Sequence, residues 1–312
     1  METTALILIA DHRGEGLSER LGGLAAMGHA VECRQTLRGT LEALERLHPA
    51  LVVIEPLAGG GAGRIELEVL EAALPEHPAT PVLVVGDVTR NLTSAVGLRA
   101  REGGLWDLAR RDVEPEELLL RCEQLLGRAR RRQEMDVLRH RAHHDDRTDL
   151  LRPGTFQERL REHYSAAQRH HLDMALLLLD LDRFGQINKL FDHTVGDELI
   201  ARVGDSIRAA LRTEDVAGRL GGDEFGIVLP YTKKLDAVHV VQRLQSDIHD
   251  LTGKVESAGA TEISGSIGFE TFNGSDVDSL KDLRLHAERA LRHAKRAGGN
   301  RGVYYRSLPQ GE

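Results

Sequence analysis

The sequence predicts an α/β protein made of two domains that a helix connects. A length of 312 residues suits about two domains, and a hydrophobic content of 41% is ample for two buried cores. Apolar runs alternate with helical patterns early in the chain, which predicts a doubly wound, flavodoxin-like domain. The order of elements changes later and predicts an α+β domain with a mixed sheet. The predicted boundaries are 1–127 for the first domain, 128–144 for the connector helix and 145–312 for the second domain.

Composition excludes several classes of protein. Aromatic residues make up 4% of the chain and the formal net charge is −8, which disfavours a nucleic-acid-binding protein. Cys33 and Cys122 are the two cysteines, which fits a reducing compartment better than a disulfide scaffold. No apolar run approaches the roughly 18 residues of a membrane helix, and no basic region opens the chain. We expect a cytoplasmic protein without a membrane span.

The first domain is predicted from three runs that are apolar on both faces, as central parallel strands are. Helical patterns lie between and after these runs. Ligands bind such sheets at the carboxyl ends of the strands, where Asp11, Glu55 and Asp87 fall. The predicted strands are 5–10, 51–54 and 81–85, and the predicted helices are 15–28, 40–47, 65–74 and 115–126.

This layout resembles the receiver domain of bacterial response regulators over roughly residues 4–127. The family holds Mg²⁺ with an acidic pair and takes a phosphoryl group on an aspartate near a lysine. Here Asp11 is followed by His12, Glu55 stands at the acceptor position, and Arg111 stands near the lysine position. The resemblance with these departures implies a pseudo-receiver that serves dimerisation or binding of a protein partner instead of phosphorylation.

The connector is predicted as one long amphipathic helix. Between residues 116 and 144, Gly127 is the one residue that is Gly or Pro. A basic run at 128–132 is typical of a solvated helix face, and the helix could pair with its copy in a dimer.

Three histidines end this connector, and they raise the question of a metal site. His140, His143 and His144 precede Asp145 and Asp146. No second cluster of ligands follows at a spacing typical of a closed metal site, so we predict solvated side chains at a helix end.

The second domain is predicted from one buried strand, a glycine hairpin and several amphipathic helices. The strands are 174–179 and 263–269, the hairpin is 221–229, the helices are 186–191, 196–211, 236–251 and 280–297, and a turn falls at 192–193.

Two acidic segments of this domain predict its chemistry. Asp180 ends the buried strand, and Asp223 follows Gly221 and Gly222 in the hairpin, where adjacent glycines allow a tight turn and close approach of a ligand. On an extended strand Asp223 and Glu224 would face opposite sides. Carboxylates on neighbouring strands repel unless they share a cation, and oxygen ligands with open positions favour Mg²⁺. The residues predict a Mg²⁺-dependent phosphoryl- or nucleotidyl-transfer site, with structural strand-end acids as the alternative.

At this point the sequence resembles a known family. Residues 219–225 read Arg-Leu-Gly-Gly-Asp-Glu-Phe, the signature of GGDEF domains, and the resemblance spans about Asp145 to Val303. It implies a diguanylate cyclase that condenses two GTP molecules into cyclic di-GMP across a homodimer, with two Mg²⁺ ions per active site. The alternative is a weakly catalytic GGDEF protein that acts as a cyclic di-GMP-binding effector.

The resemblance also assigns residues of the active site. It implies that Asp180, the Leu181 carbonyl and Asp223 bind metal, and that Asp223 and Glu224 are catalytic. Asn188 and Asp197 would bind the guanine edge, which offers N–H donors to their oxygens. The other implied substrate-binding residues are Phe184, Lys295, Gly221 and Gly222.

The sequence departs from the family pattern at two positions and matches it in one regulatory motif. Gly185 and Gly299 stand where the family usually has Lys and Arg, so two cations near the phosphates are missing and weaker GTP binding or slow turnover is expected. Arg212 and Asp215 match the family's R-x-x-D product-inhibition site, and Arg243 matches a second inhibitory-site arginine. An ion pair within a helix is the alternative interpretation of Arg212 and Asp215.

Overall fold

We describe a computed structural model, and residues 4–57, 62–74, 80–87, 93, 96, 97, 99, 100, 104–191, 193–252 and 262–309 are described. The chain divides into two compact units, Met1–Leu138 and Arg139–Glu312. Residue 192 of the predicted turn lies outside the described residues. Within the described parts, every helix is too short or too polar to cross a membrane.

The first unit contains a five-stranded parallel sheet with the order β2-β1-β3-β4-β5. This is the strand order of flavodoxin-like sheets. The central strands β3 and β4 are buried at every position. The edge strands β2 and β5 are half-exposed and have no continuous apolar run, which is why they were not predicted. The strands are β1 (Leu6–Asp11), β2 (Ala30–Arg34), β3 (Leu51–Glu55), β4 (Val82–Gly86) and β5 (Trp106–Arg110).

Helices cover both faces of this sheet. One apolar cluster joins β1 and β3 to α1, α2 and α5, and a second joins the opposite face to α3 and α4. The single helix predicted over 15–28 is wrong, because the chain forms two short helices on either side of Leu21 and Gly22. The helices are α1 (Leu17–Arg20), α2 (Gly23–Ala26), α3 (Leu37–Leu47), α4 (Ala62–Ala73) and α5 (Pro115–His143). The long helix expected after residue 116 is therefore present.

The second unit is built on a mixed sheet with the order β10-β9-β6-β8-β7. The central strand β6 runs antiparallel to both neighbours, and all eight of its residues are buried. Its strands are β6 (Met174–Leu181), β7 (Val216–Gly221), β8 (Glu224–Pro230), β9 (Gly265–Phe272) and β10 (Gly302–Tyr304). Its helices are α6 (Pro153–His170), α7 (Phe184–Phe191), α8 (His193–Ala210), α9 (Lys234–His249) and α10 (Leu280–Arg296). Helix α6 and strand β10 were not predicted.

Successive side chains of β6 point to opposite faces of the sheet, so the core of this unit has two layers. Leu177 and Leu179 pack with α8 and α9, whereas Leu176 and Leu178 pack with α6 and α10. Helix α10 lies close to β9, since a Cβ at Gly268 would be 2.3 Å from the Ala287 carbonyl. Asp180 belongs to the side of β6 that faces α10, so the last turns of that helix can reach the acidic end of the strand.

Candidate active site

Three carboxylates meet at the carboxyl end of β6. Asp180 lies opposite Glu224 in the antiparallel register, so these two side chains share a face of the sheet. The amide of Leu181 donates a hydrogen bond of 3.3 Å to the carbonyl of Asp223, and the Leu181 side chain is buried. The structure therefore brings together the three predicted metal-binding residues and Glu224.

Asp180 has the properties of a carboxylate with room for a cation. Its side chain is 8% exposed, and Oδ1 has no hydrogen-bond partner among the described residues. Burial raises the pKa of this carboxyl, and repulsion from Asp223 and Glu224 adds to the rise, while the ion pair with Lys295 opposes it. An unpaired oxygen beside further carboxylates fits a divalent cation with oxygen ligands.

The glycine turn beside these acids is open to a ligand. Gly222 has φ +39°, and a Cβ on Gly221 or Gly222 would meet no atom within 4 Å. Packing against other residues does not require glycine at either position, whereas the left-handed backbone of Gly222 favours it. Arg219 connects the turn to Asp145. Its Nη2 donates to the Gly222 carbonyl at 2.7 Å, and its Nη1 lies 3.2 Å from the Asp145 carboxylate.

Asp223 lies in the turn and not on the strand, so the expected placement of Asp223 and Glu224 on opposite faces of one extended strand does not apply. Glu224 is the first residue of β8. It lines a cavity of about 310 Å³ with Phe156 and Leu160 of α6 and Glu288 of α10, so this residue borders both the acidic cluster and the cavity.

Asn188, Phe184 and Asp197 gather where α7 meets α8. A Cβ on Gly196 would lie 1.8 Å from Asn188 Oδ1 and 3.2 Å from the Phe184 ring, so both side chains press against that glycine. Asn188 Oδ1 is buried and has no partner among the residues described. A free amide oxygen can accept a hydrogen bond from a guanine N–H.

Sequence reasoning missed Arg147. Its guanidinium lies 2.7 Å from the carboxylate of Asp197, which is the predicted guanine ligand. Arg147 lies two residues into the stretch that resembles the GGDEF family, and a charged residue at that point was the signal that could have identified it. Any ligand of Asp197 has to compete with this ion pair.

The two glycines that stand where the family usually has cationic residues have different surroundings. Gly185 is exposed on α7, and a Cβ there would meet nothing within 4 Å. Gly299 has φ +77°, and a Cβ there would lie 2.9 Å from the Asp182 carboxylate. Lys295 remains, and it pairs with Asp180.

Sequence reasoning also missed Asp182, whose carboxylate connects several segments of the site. It accepts hydrogen bonds from Ser264 at 2.8 Å, from Ser266 at 2.7 Å and from the amide of Asn300 at 2.8 Å. These bonds tie the end of β6 to β9 and to the turn after α10. Asp182 is the second aspartate in Asp180-Leu181-Asp182, and this repeated aspartate was the signal that could have identified it.

The three predicted inhibitory-site residues line one separate cavity of about 400 Å³. Arg212 and Asp215 lie after α8, and Arg243 lies on α9. The Arg212 amide donates to Asp215 Oδ2 at 2.9 Å, so the aspartate bonds the backbone of this loop. Burial raises the pKa of Asp215, and Glu214 adds to the rise, while the Arg212 amide and both arginines oppose it.

A mixed sheet with carboxylates at a strand end and a glycine hairpin beside them is a scaffold suited to a cation and a phosphate-bearing ligand. A sequence profile described as the diguanylate cyclase GGDEF domain matches residues 142–301, which is just over half of the chain. The chain therefore belongs to the GGDEF family.

Individual relatives agree with this assignment. The chain is 32% identical over 209 residues to diguanylate cyclase TpbB of Pseudomonas aeruginosa, a match that covers 65% of this chain and 46% of TpbB. The chain thus spans about half the length of this curated relative.

Solved structures show the same fold. The coiled coil and GGDEF domain of DgcB from Caulobacter crescentus, in complex with c-di-GMP, has a TM-score of 0.54 at 23% identity, covering 58% of this chain and 95% of that one. Diguanylate cyclase SiaD of Pseudomonas aeruginosa, solved with its activator SiaC, has a TM-score of 0.50 at 24% identity, covering 93% of this chain and 92% of that one.

Proposed function

We propose that this protein is a diguanylate cyclase that condenses two GTP molecules into cyclic di-GMP and two diphosphates. The observation that carries the proposal is the convergence of Asp180, Asp223 and Glu224, with an unpaired oxygen on Asp180. Family membership and the TpbB match support the reaction class.

The acidic cluster would hold Mg²⁺, with two ions per active site. Asp180, Asp223 and the Leu181 carbonyl are the proposed ligands, and Glu224 supports them. Mg²⁺ at such a site neutralises phosphate charge and lowers the pKa of an attacking hydroxyl.

The other residues orient the nucleotide. Asn188 Oδ1 accepts from a guanine N–H, and Asp197 accepts from the same edge after it leaves Arg147. Phe184 supports Asn188 against Gly196, and the open backbone of Gly221 and Gly222 admits the phosphates.

Lys295 contributes a positive charge for the triphosphate. In this structure its Nζ pairs with Asp180, and the side chain is 41% exposed. It therefore has space to turn towards a phosphate when Asp180 is neutralised otherwise. Two loaded sites must face one another for the 3′-hydroxyl of each GTP to attack the α-phosphate of the other, so the active form is a homodimer.

The test of this proposal is incubation of the full chain with GTP and Mg²⁺, followed by chromatographic separation of the products. We expect cyclic di-GMP from the wild type and at least a 100-fold loss with Asp223→Asn. Product formation that survives Asp223→Asn would remove the metal assignment.

The second candidate function is a cyclic di-GMP-binding effector, and the missing cations at Gly185 and Gly299 favour it. Tight cyclic di-GMP binding that Arg212→Ala abolishes, in a wild type that forms no product, would establish this alternative over the cyclase.

We further propose that the cavity of Arg212, Asp215 and Arg243 binds the product and inhibits the enzyme. An arginine fork can bond a guanine edge or phosphate, and a carboxylate can accept from guanine. Arg212→Ala should raise the concentration of cyclic di-GMP that halves the initial rate by about 10-fold and leave the rate without product unchanged. Inhibition that stays the same in this variant would contradict the assignment.

For the first unit we propose a pseudo-receiver that binds a partner or a second copy and is not phosphorylated. Both oxygens of Asp11 accept backbone amides, from Gly14 at 2.8 Å and Leu17 at 3.1 Å among others. Glu55 accepts from Arg111 Nε at 2.7 Å. Both acids are therefore engaged within the fold. Incubation with acetyl phosphate and Mg²⁺ should add no phosphoryl group by intact mass, and an 80 Da addition lost in Glu55→Gln would overturn this proposal.

A further inference from the structure

The end of the long helix α5 carries a cluster of metal-ligating side chains that the proposed reaction does not use. His140 Nε2 lies 2.6 Å from Asp149 Oδ1, and His144 Nδ1 lies 2.8 Å from the Asp149 carbonyl. Ligand atoms of His140, His144 and Asp149 all lie within 4.8 Å of one another. The sequence predicted solvated histidines here, and it paired them with Asp145 and Asp146, whereas the fold brings Asp149 to them instead.

We propose that His140, His144 and Asp149 form a binding site for a divalent transition-metal ion of the zinc class. Two histidines four residues apart share one face of a helix, and a third ligand from a following turn leaves the fourth position to water. Two imidazoles and one carboxylate select such an ion over Mg²⁺, which prefers oxygen ligands. The site is thus chemically distinct from the acidic cluster at Asp180.

The hydrogen bonding of His144 turns one of its ring nitrogens towards Asp149. A carbonyl oxygen only accepts, so His144 Nδ1 must donate its proton to the Asp149 carbonyl. The same nitrogen lies 3.9 Å from Asp149 Oδ1, so an ion bound beside Asp149 would take Nδ1 in place of the hydrogen bond to the carbonyl. The ring of His140 stacks on the ring of His144 with centroids 4.2 Å apart.

The turn that carries Asp149 is preformed. Asp149 has φ +57°, and its amide donates to the Asp145 carbonyl at 2.9 Å. The Asp145 side chain accepts from the Thr148 amide at 3.1 Å. The side chains of His140 and Asp149 are 54% and 56% exposed, so an ion and its water can enter. Tetrahedral Zn²⁺ with bonds of about 2.0–2.2 Å places ligand atoms about 3.3 Å apart, a contraction that exposed side chains can make.

A bound ion would clamp the last turn of α5 to the turn at 145–150. That turn reaches the signature hairpin through Asp145 and Arg219, and it reaches the proposed guanine ligand Asp197 through Arg147. The clamp therefore acts on the segment that supports the nucleotide site. None of its three ligands belongs to the acidic cluster, so binding of the ion can be measured separately from the nucleotide chemistry.

The test is titration of the chelator-treated full chain with ZnCl₂, followed by isothermal calorimetry and thermal unfolding. We carry it out in the Asp180→Asn, Asp223→Asn double variant, which lacks the acidic ion site and the proposed activity. We expect about one Zn²⁺ per chain, a higher melting temperature with Zn²⁺, and no displacement by excess Mg²⁺.

Single substitutions in that background identify the ligands. His140→Ala and His144→Ala should each weaken Zn²⁺ binding by at least about 10-fold, since loss of even an outer partner of a ligand has an effect of about 10–100-fold. Asp149→Asn should also weaken Zn²⁺ binding by at least about 10-fold, and asparagine tolerates the left-handed backbone at this position. The matched control is His143→Ala, because His143 Nδ1 bonds Thr155 Oγ1 at 3.2 Å and His143 is not one of the three clustered residues.

Co²⁺ provides a second readout that does not depend on stability. Visible absorption bands of Co²⁺ in a nitrogen and oxygen site should appear at one equivalent and be lost in His144→Ala. An unaltered Zn²⁺ affinity in both histidine variants, or no saturable binding at all, would show that the cluster is an ion pair only. Loss of binding in His143→Ala to the same degree would also overturn the assignment.

Discussion

At the scale of single residues, the buried carboxylate Asp180 controls the candidate active site. Burial raises its pKa, and Asp223 and Glu224 add to that rise. A carboxyl whose folded-state pKa is raised contributes stability below its ordinary pKa, and that contribution is lost as the pH rises through the folded-state pKa. Near neutral pH the ionised Asp180 therefore opposes folding despite its pairing with Lys295, and a bound divalent cation would relieve that cost.

This residue supports a prediction about stability. Asp180→Asn should raise the melting temperature in chelator at pH 7.5 by roughly 2–4 °C, the shift for about 1 kcal/mol in a domain of this size. The gain should shrink as the pH falls below the ordinary pKa of aspartate, where the wild-type carboxyl becomes protonated in both states. Product formation should be lost.

The control for this prediction is Asp173, an aspartate at the other end of β6. Asp173 directly precedes β6 and lies 3.9 Å from Lys233, so Asp173→Asn should change neither the melting temperature nor the rate. A variant of Asp180 that is less stable than the wild type at pH 7.5 would contradict the account.

The ion pair of Arg147 with Asp197 gives a second prediction at the scale of residues. The proposed binding of guanine at Asp197 has to break this half-exposed pair, which is worth about 0.2–1 kcal/mol. Arg147→Leu should therefore lower the dissociation constant for GTP by about 2- to 5-fold, measured by calorimetry with Ca²⁺ in place of Mg²⁺ to prevent turnover.

The matched control is Arg159→Leu. Arg147 and Arg159 are both 51% exposed and both ion-paired, but Arg159 contacts Glu162 on α6. Its removal should leave GTP affinity unchanged. Weaker GTP binding in Arg147→Leu would mean that the arginine supports the nucleotide instead of competing with it.

At the scale of elements, the two glycines that replace cations are not equivalent. Gly185 lies in helix α7 with open space around it, so a lysine there adds a charge and improves helix propensity. Gly299 has a left-handed backbone and faces Asp182, so a side chain there adds strain.

Restoration of these cations is therefore predicted to succeed at only one position. Gly185→Lys should lower the KM for GTP by about 30-fold, which corresponds to about 2 kcal/mol, the middle of the range of about 1–3 kcal/mol for one charge-assisted hydrogen bond. Gly299→Arg should lower the melting temperature without lowering the KM. Gly185→Gln is the neutral control, and a KM as low as that of Gly185→Lys would show that charge is not the cause.

The element scale also shows how far the sequence predicts this fold. Strands β3, β4 and β6 were predicted because both of their faces are buried and their residues form unbroken apolar runs. Strands β2 and β5 were missed because edge positions mix charged and apolar residues. Strand β10 has only three residues, and its pairing with β9 depends on a long-range contact.

At the scale of the whole molecule, the proposed reaction needs two chains. Each site holds one GTP, and the attacking hydroxyl and the α-phosphate come from different sites. The specific activity of the full chain should therefore rise with protein concentration until dimers are complete.

Mixing chains tests this requirement directly. Wild type mixed with an equal amount of Asp223→Asn chain and left to exchange should lose about half of its cyclic di-GMP formation, because half of its partners are then defective. The readout is the initial rate of product formation per wild-type chain. An undiminished rate after subunit exchange would mean that one chain suffices.

The sequence by itself determined the kinds of residues in the acidic cluster, the glycine turn and the buried strand beneath them, because these depend on local spacing and on continuous burial. Only the tertiary structure decided the partners of these residues. Arg147 reaches Asp197 across 50 positions, Asp182 ties three segments together, and His140 meets Asp149 through a turn with a left-handed residue. Such pairings follow from how helices and turns pack, and local periodicity carries no information about contacts between separate elements.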